Sequence, residues 1–150
     1  MAIANSTGND LLALAGRLLF ASLFVASGVN KLLWPLATIV YVRTFGLPAP
    51  QLWCIGSMLL ELACAALLIL GYRTRAVAWI LAAYCVSTAV IFHHAFADQN
   101  QSIPFLTNLA MAGGLLTLSI YGAGLFSIDR LIGNARVEIA SNYVRITSDS

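Results

Sequence analysis

Charge is scarce in this 150-residue chain: Asp, Glu, Lys and Arg together make up 9% of it. An ordinary soluble domain carries about 25%. That shortage excludes a solvated globular surface, and with a mean hydropathy of +0.86 it makes the chain a membrane protein on composition. The formal charge of +2 is small and its basic residues are scattered, which excludes a nucleic-acid partner. Cysteine is sparse too. Cys54, Cys64 and Cys85 form no CxxC pair, so thiol–disulfide chemistry of that kind is not indicated. The adjacent His93 and His94 lack the i, i+4 spacing of a helical metal site; no metal is expected, and His94 with Glu61 is the one pairing left open. No phosphate-cradling glycine loop and no nucleophile elbow occurs.

What the chain has in abundance is long apolar sequence. Four segments, at about 11–33, 52–71, 76–97 and 105–126, are each near the ~20 residues a membrane-spanning helix needs. None alternates strictly as a barrel strand does. The expected fold is therefore all-α, a polytopic four-helix transmembrane bundle over residues 1–126 followed by a polar cytoplasmic tail over 127–150. Trp34-Pro35 closes the first segment, Gly71-Tyr72-Arg73 closes the second, and Pro104 is expected to open the fourth. The first apolar run is too long for a secretion signal and lacks a basic start, so it is read as retained. The glycines of MAGGLL and YGAG are expected to let helices approach closely in the fourth segment. Two readings stay open for the stretch 35–51, a short interfacial segment or an ordinary packed loop. Two also stay open for the tail, partial order on the membrane surface or none.

Lys and Arg set the expected orientation. With the N-terminus inside, the inner side receives Arg17, Arg73, Arg75, Arg130, Arg136 and Arg145, and the outer side only Lys31 and Arg43. This bias predicts both termini in the cytoplasm. Trp34, Tyr41 and Trp53 then fall near the outer interface, where amphipathic rings are favoured.

One acid breaks the apolar pattern. Glu61 stands in MLLELACAALLIL, close to the midplane, where a lipid-facing carboxylate would cost at least ~2.5 kcal/mol. It must face the interior, be protonated or be paired. Cys54, Ser57, Glu61, Cys64 and Ala65 recur at helical spacing and define the expected seam against the other helices. Candidate partners at overlapping depth are Ser27 and Lys31 with Asn30 beside them, Ser87 and His94 with His93 turned by about 100°, and Asn108. Blander readings compete with each. Lys31 could snorkel to headgroups, the histidines could cap their helix, Asn108 could be interhelical glue, and a Lys31–Glu61 pair could be purely structural.

The stretches GRLLFASLFVASGVNKL, GLPAP, LLELACAALLILGYRTR and IFHHAFADQNQSIPFLTNLAMAGGLL, in this order and spacing, resemble the DoxX family of bacterial membrane proteins. The resemblance implies a four-helix bundle in the bacterial inner membrane. It carries over family positions at Arg17, Ser27, Gly28, Lys31, Glu61, His93 or His94, and Asn108. Named family members are associated with thiosulfate–quinone oxidoreduction, as a small membrane subunit, and with oxidative-stress assemblies.

Two functional classes lead. The first is a non-catalytic membrane subunit or anchor of a redox, quinone-linked assembly, in which Lys31, His94 and Asn108 donate to quinone carbonyls while Glu61 handles a proton. No motif for a bound redox cofactor is present and no covalent cofactor is expected, so electrons would come from a partner protein. The alternative is a proton-coupled carrier of a small solute, acting as a homodimer, with Glu61 alternating between proton and substrate. A stand-alone membrane enzyme ranks behind both.

Overall fold

The structure, a computed structural model, describes residues 2–93 and 99–148. All regular structure among these residues is helical: α1 (Ala2–Leu33), α2 (Pro35–Thr44), α3 (Pro50–Leu70), α4 (Thr74–Phe92), α5 (Gln99–Tyr121) and α6 (Ile128–Ser148). Four helices contain stretches long and apolar enough to cross a bilayer: Gly8–Leu33, Pro50–Leu70, Thr74–Phe92 and Gln101–Tyr121.

Helix boundaries follow local chemistry. Pro35 and Pro50 stand at the first positions of α2 and α3, where a missing N–H costs nothing. Gly71 closes α3 in the left-handed region at φ 65°, and the Gly71 and Tyr72 amides return to the carbonyls of Leu68 and Leu67. No other residue would serve at Gly71. A Cβ there would strike the Arg17 guanidinium and the Ser127 side chain. Arg73 also has positive φ, at 48°, which for a residue with a side chain costs about 1 kcal/mol or more. Asp129 offsets that cost: its carboxylate accepts from the Arg73 and Thr74 amides at 2.7 and 2.9 Å, capping α4.

The four spans pack as two close pairs, α1 with α3 and α4 with α5, and the pairs touch each other less extensively. The apolar core, including Ala21, Ala65, Leu68, Ala78, Leu81 and Leu115, joins the pairs in the half of the bundle nearer α6. Toward α2 the pairs part. α2 packs against α3 and α1 across this opening, and Tyr41 and Phe45 gather with Phe92 of α4 in an aromatic cluster with centroids 5.1 to 5.8 Å apart. The stretch after Pro35 is thus a short packed helix. Large apolar side chains such as Leu19, Leu59, Ile80 and Leu106 remain exposed on the outside of the bundle, as a surface facing acyl chains requires.

Several boundaries differ from those read in the sequence. α4 ends at Phe92, with His93 as its cap, rather than running on to 97; residues 94–98 lie outside the described residues. α5 begins at Gln99 and places Pro104 inside the helix, so Pro104 does not open it. A proline forfeits only one backbone bond so near a helix start. The helix also ends earlier, at Tyr121 instead of 126, because Gly122 and Gly124 adopt positive φ (79° and 74°) and turn the chain. Of the glycines expected at a close approach, Gly114 does meet Phe20 of α1, whereas YGAG forms this turn. The tail folds as α6, almost wholly exposed beyond its first turn.

Candidate functional site

Glu61 lies eleven residues into α3, about 16 Å along the axis at 1.5 Å per residue. Tyr84 lies ten residues into α4, about 15 Å from its start. Both therefore stand near mid-span. Within a continuous helix every backbone amide is already bonded, so a carboxylate at this depth can be satisfied only by side chains.

Two side chains do so, Lys31 and Tyr84. The Lys31 ammonium donates to both Glu61 oxygens at 2.7 Å, and to the Ser27 hydroxyl one turn earlier at 2.7 Å. The Tyr84 hydroxyl donates to Glu61 Oε1 at 2.6 Å. Lys31 is two residues from the end of α1, but its side chain runs inward along the helix instead of snorkelling out. The Glu61 side chain is 3% exposed and that of Lys31 is 16% exposed, so the pair is desolvated on the acid's side and reachable on the lysine's. Gly28 makes this approach available. A Cβ on it would come to 2.7 Å of the Leu62 side chain, so any larger residue requires Leu62 to shift if α1 is to stay this close to α3. The seam on α3 is as its spacing implies: Cys54, Glu61, Cys64 and Ala65 are buried and Ser57 is half-buried.

The pair sits in the wall of a cavity of about 610 Å³ between the two helix pairs. Phe24, Tyr41, Trp53 and Phe92 supply aromatic wall, and α2 contributes Ala37, Thr38, Tyr41 and Val42 across its mouth. Polar groups from all four spans converge on it: Ser27 and Lys31, Ser57 and Glu61, Tyr84, Ser87 and Thr88, and Asn108. The Ser87 and Thr88 hydroxyls donate to carbonyls one turn back on α4, and Asn108 donates one N–H to Pro104 O at 2.9 Å, leaving a second N–H. Burial raises the pKa of the Tyr41 phenol at the mouth, so it remains a neutral donor; its hydroxyl lies 3.5 Å from Phe92 O.

Of the residues singled out in the sequence, Ser27, Lys31, Glu61 and Asn108 meet at this cavity. His93 does not line it; it caps α4 and its Nδ1 pairs with Gln101 of α5 at 3.0 Å. His94 lies outside the described residues. Arg17 belongs to the opposite end of the bundle. It is fully buried, and one guanidinium nitrogen donates to Phe126 O at 2.6 Å. Tyr84 is the Glu61 partner that the sequence reading missed, and Thr88 of the cavity wall was missed with it. Their signal was available: Tyr84, Ser87, Thr88 and Ile91 recur at helical spacing, and the tyrosine stands mid-span, away from the interfacial belt where tyrosines usually lie.

Comparison with known proteins places these features in a family. The DoxX family profile matches residues 12–94, so Asn108 lies beyond the matched stretch. The inner membrane protein YqjF of Escherichia coli (strain K12) is 35% identical over 123 residues, covering 82% of this chain and 93% of its own length. The inner membrane protein YphA of the same organism is 34% identical over 125 residues, covering 80% of this chain and 89% of its own. No solved structure matches the chain. On these matches, and with four apolar helices of spanning length, the chain belongs to the DoxX family and is an inner-membrane protein.

Proposed function

We propose that the chain is a non-catalytic membrane subunit of a redox assembly, and that its cavity receives the headgroup of a lipid-soluble quinone. The observation that carries this reading is the Lys31–Glu61–Tyr84 cluster at mid-span in the wall of an aromatic-lined cavity of about 610 Å³. Sites for small molecules are typically concave and mostly apolar, with a few convergent polar groups, in the range of about 300–1,000 Å³. The donor set suits two carbonyl acceptors. The three N–H groups of Lys31 are engaged by Ser27 and Glu61. The donors to the two carbonyls would therefore be the free N–H of Asn108 and, at the mouth, the Tyr41 hydroxyl, whose contact with Phe92 O is long at 3.5 Å. A quinone, when bound, would take up electrons and protons. The chain's own groups would hold it flat between aromatic rings, keep water out, and retain a proton at the Tyr84 oxygen against Glu61. The charge bias of the sequence supports a topology with both termini in the cytoplasm and the cavity toward the outer leaflet.

The carrier alternative needs a carboxylate free to exchange a proton for a solute. Both Glu61 oxygens accept from Lys31, and one also accepts from Tyr84, which favours the subunit reading. The test is gentle extraction of the intact protein in native lipid, with mass spectrometry of everything that accompanies it. A co-purifying quinone and oxidoreductase, the quinone lost in Tyr84→Phe with Asn108→Ala, is the expected result. Bare homodimers without quinone would overturn the reading in favour of the carrier.

A further inference from the structure

The opposite end of the bundle carries a second hollow, of about 840 Å³ and open on one side. Arg73 and Arg75 flank the start of α4, and Arg130 stands in the first turn of α6; all three line it. Two carboxylates also line it, Asp10 and Asp129, but neither forms an ion pair with an arginine among the described residues. Three of their four oxygens accept from backbone amides. Asp129 accepts from the Arg73 and Thr74 amides, and Asp10 accepts from the Leu125 amide at 2.9 Å. Among the described residues, the Arg73 guanidinium carbon lies over the Tyr72 ring, 5.9 Å from its centroid.

Behind the wall lies a fourth cation. The Arg17 guanidinium presses on Gly71 beside Ser127, a lining residue, and its Nε and one terminal nitrogen are buried without a hydrogen-bond partner. Three guanidiniums line the hollow and a fourth lies behind it, against two carboxylates, so the net potential there is positive even though Asp129 acts on Arg17. Guanidiniums match a phosphate, which several arginines can grip by paired N–H donors.

We infer that this hollow is a binding site for the phosphate of an anionic phospholipid headgroup. Its position selects a lipid over a soluble anion. It sits where α3 and α5 end and α4 begins, at headgroup level, and the exposed Tyr121, Leu125 and Phe126 offer apolar surface beside it for an acyl chain. Basic pockets between spans at this level bind lipid headgroups by the same physics.

The test uses the full chain in detergent, titrated with phosphatidylglycerol, phosphatidylcholine or inorganic phosphate, with binding read by native mass spectrometry. Phosphatidylglycerol should bind at least about tenfold more tightly than phosphatidylcholine. The preference should vanish in Arg75→Gln with Arg130→Gln and persist in Arg136→Gln, which removes an equal charge from α6 outside the hollow. Inorganic phosphate bound with the same variant dependence, without phosphatidylglycerol, would keep the phosphate site but reject the lipid. Equal binding of the two lipids with no phosphate binding, or equal loss in Arg136→Gln, would overturn the proposal. If the double variant does not accumulate, the wild-type lipid ratio together with Arg75→Gln alone decides it.

Discussion

The two ends of this bundle solve the same electrostatic problem by different means. Toward α2, the carboxylate of Glu61 is paired with a side-chain cation; toward α6, the carboxylates of Asp10 and Asp129 are paired with backbone amides. The reason is what the backbone offers at each depth. Mid-span, every amide is spent within its helix, so only Lys31 and Tyr84 can answer Glu61. At the span ends, turns and helix starts leave amides free, so the acids are satisfied without arginine. The first arrangement neutralises its charge inside a cavity. The second leaves guanidiniums in surplus.

The sharpest way to break this comparison is Glu61→Ala, which strands the Lys31 ammonium. Loss of one partner of a buried pair typically costs about 3–5 kcal/mol. Thermal unfolding in detergent should show a large fall, largely recovered when Lys31→Met is added. A double variant no better than the single would mean that the lysine never depended on the acid.

Next comes Tyr84→Phe, which should cost about 1.5–3 kcal/mol, the worth of one hydrogen bond to a charged group, since Lys31 still satisfies Glu61. A loss as large as that of Glu61→Ala would make the tyrosine an equal member of the pair. Gly71→Ala sets a Cβ against the buried Arg17 guanidinium at a positive φ. A cost of about 1–3 kcal/mol is expected. Unchanged melting would show that the α6 end is loosely packed. The smallest effect should come from Arg75→Gln, within about 0.5 kcal/mol, because no ion pair is broken. A marked loss there would reveal a structural role and blur the contrast between the ends.

The contrast also marks how far the sequence could be read. The four spans and the burial of Glu61 follow from apolar length and from the cost of an acid in lipid, both local properties. The Lys31–Glu61 contact was one of several readings, because pairing and snorkelling place the same residue at the same depth. The structure decides for pairing, with Lys31 donating to both Glu61 oxygens, and Gly28 leaves room for α1 to pack close to α3 at that point. His93 shows the reverse case. Its position near the cavity's level was legible, but α4 ends one residue earlier, which turns the ring toward Gln101.

By itself, then, the sequence determined that this chain lives in a membrane, how many times it crosses, and that one of its acids must be compensated. Those statements depend on transfer free energies along a single segment, which need no knowledge of neighbours. Only the tertiary structure decided which groups compensate that acid, that the spans part into two pairs around a cavity, and that Arg73, Arg75 and Arg130 outnumber the two carboxylates of the hollow they line. These depend on which backbone amides remain free and on distances between helices, quantities that exist only once the spans are packed.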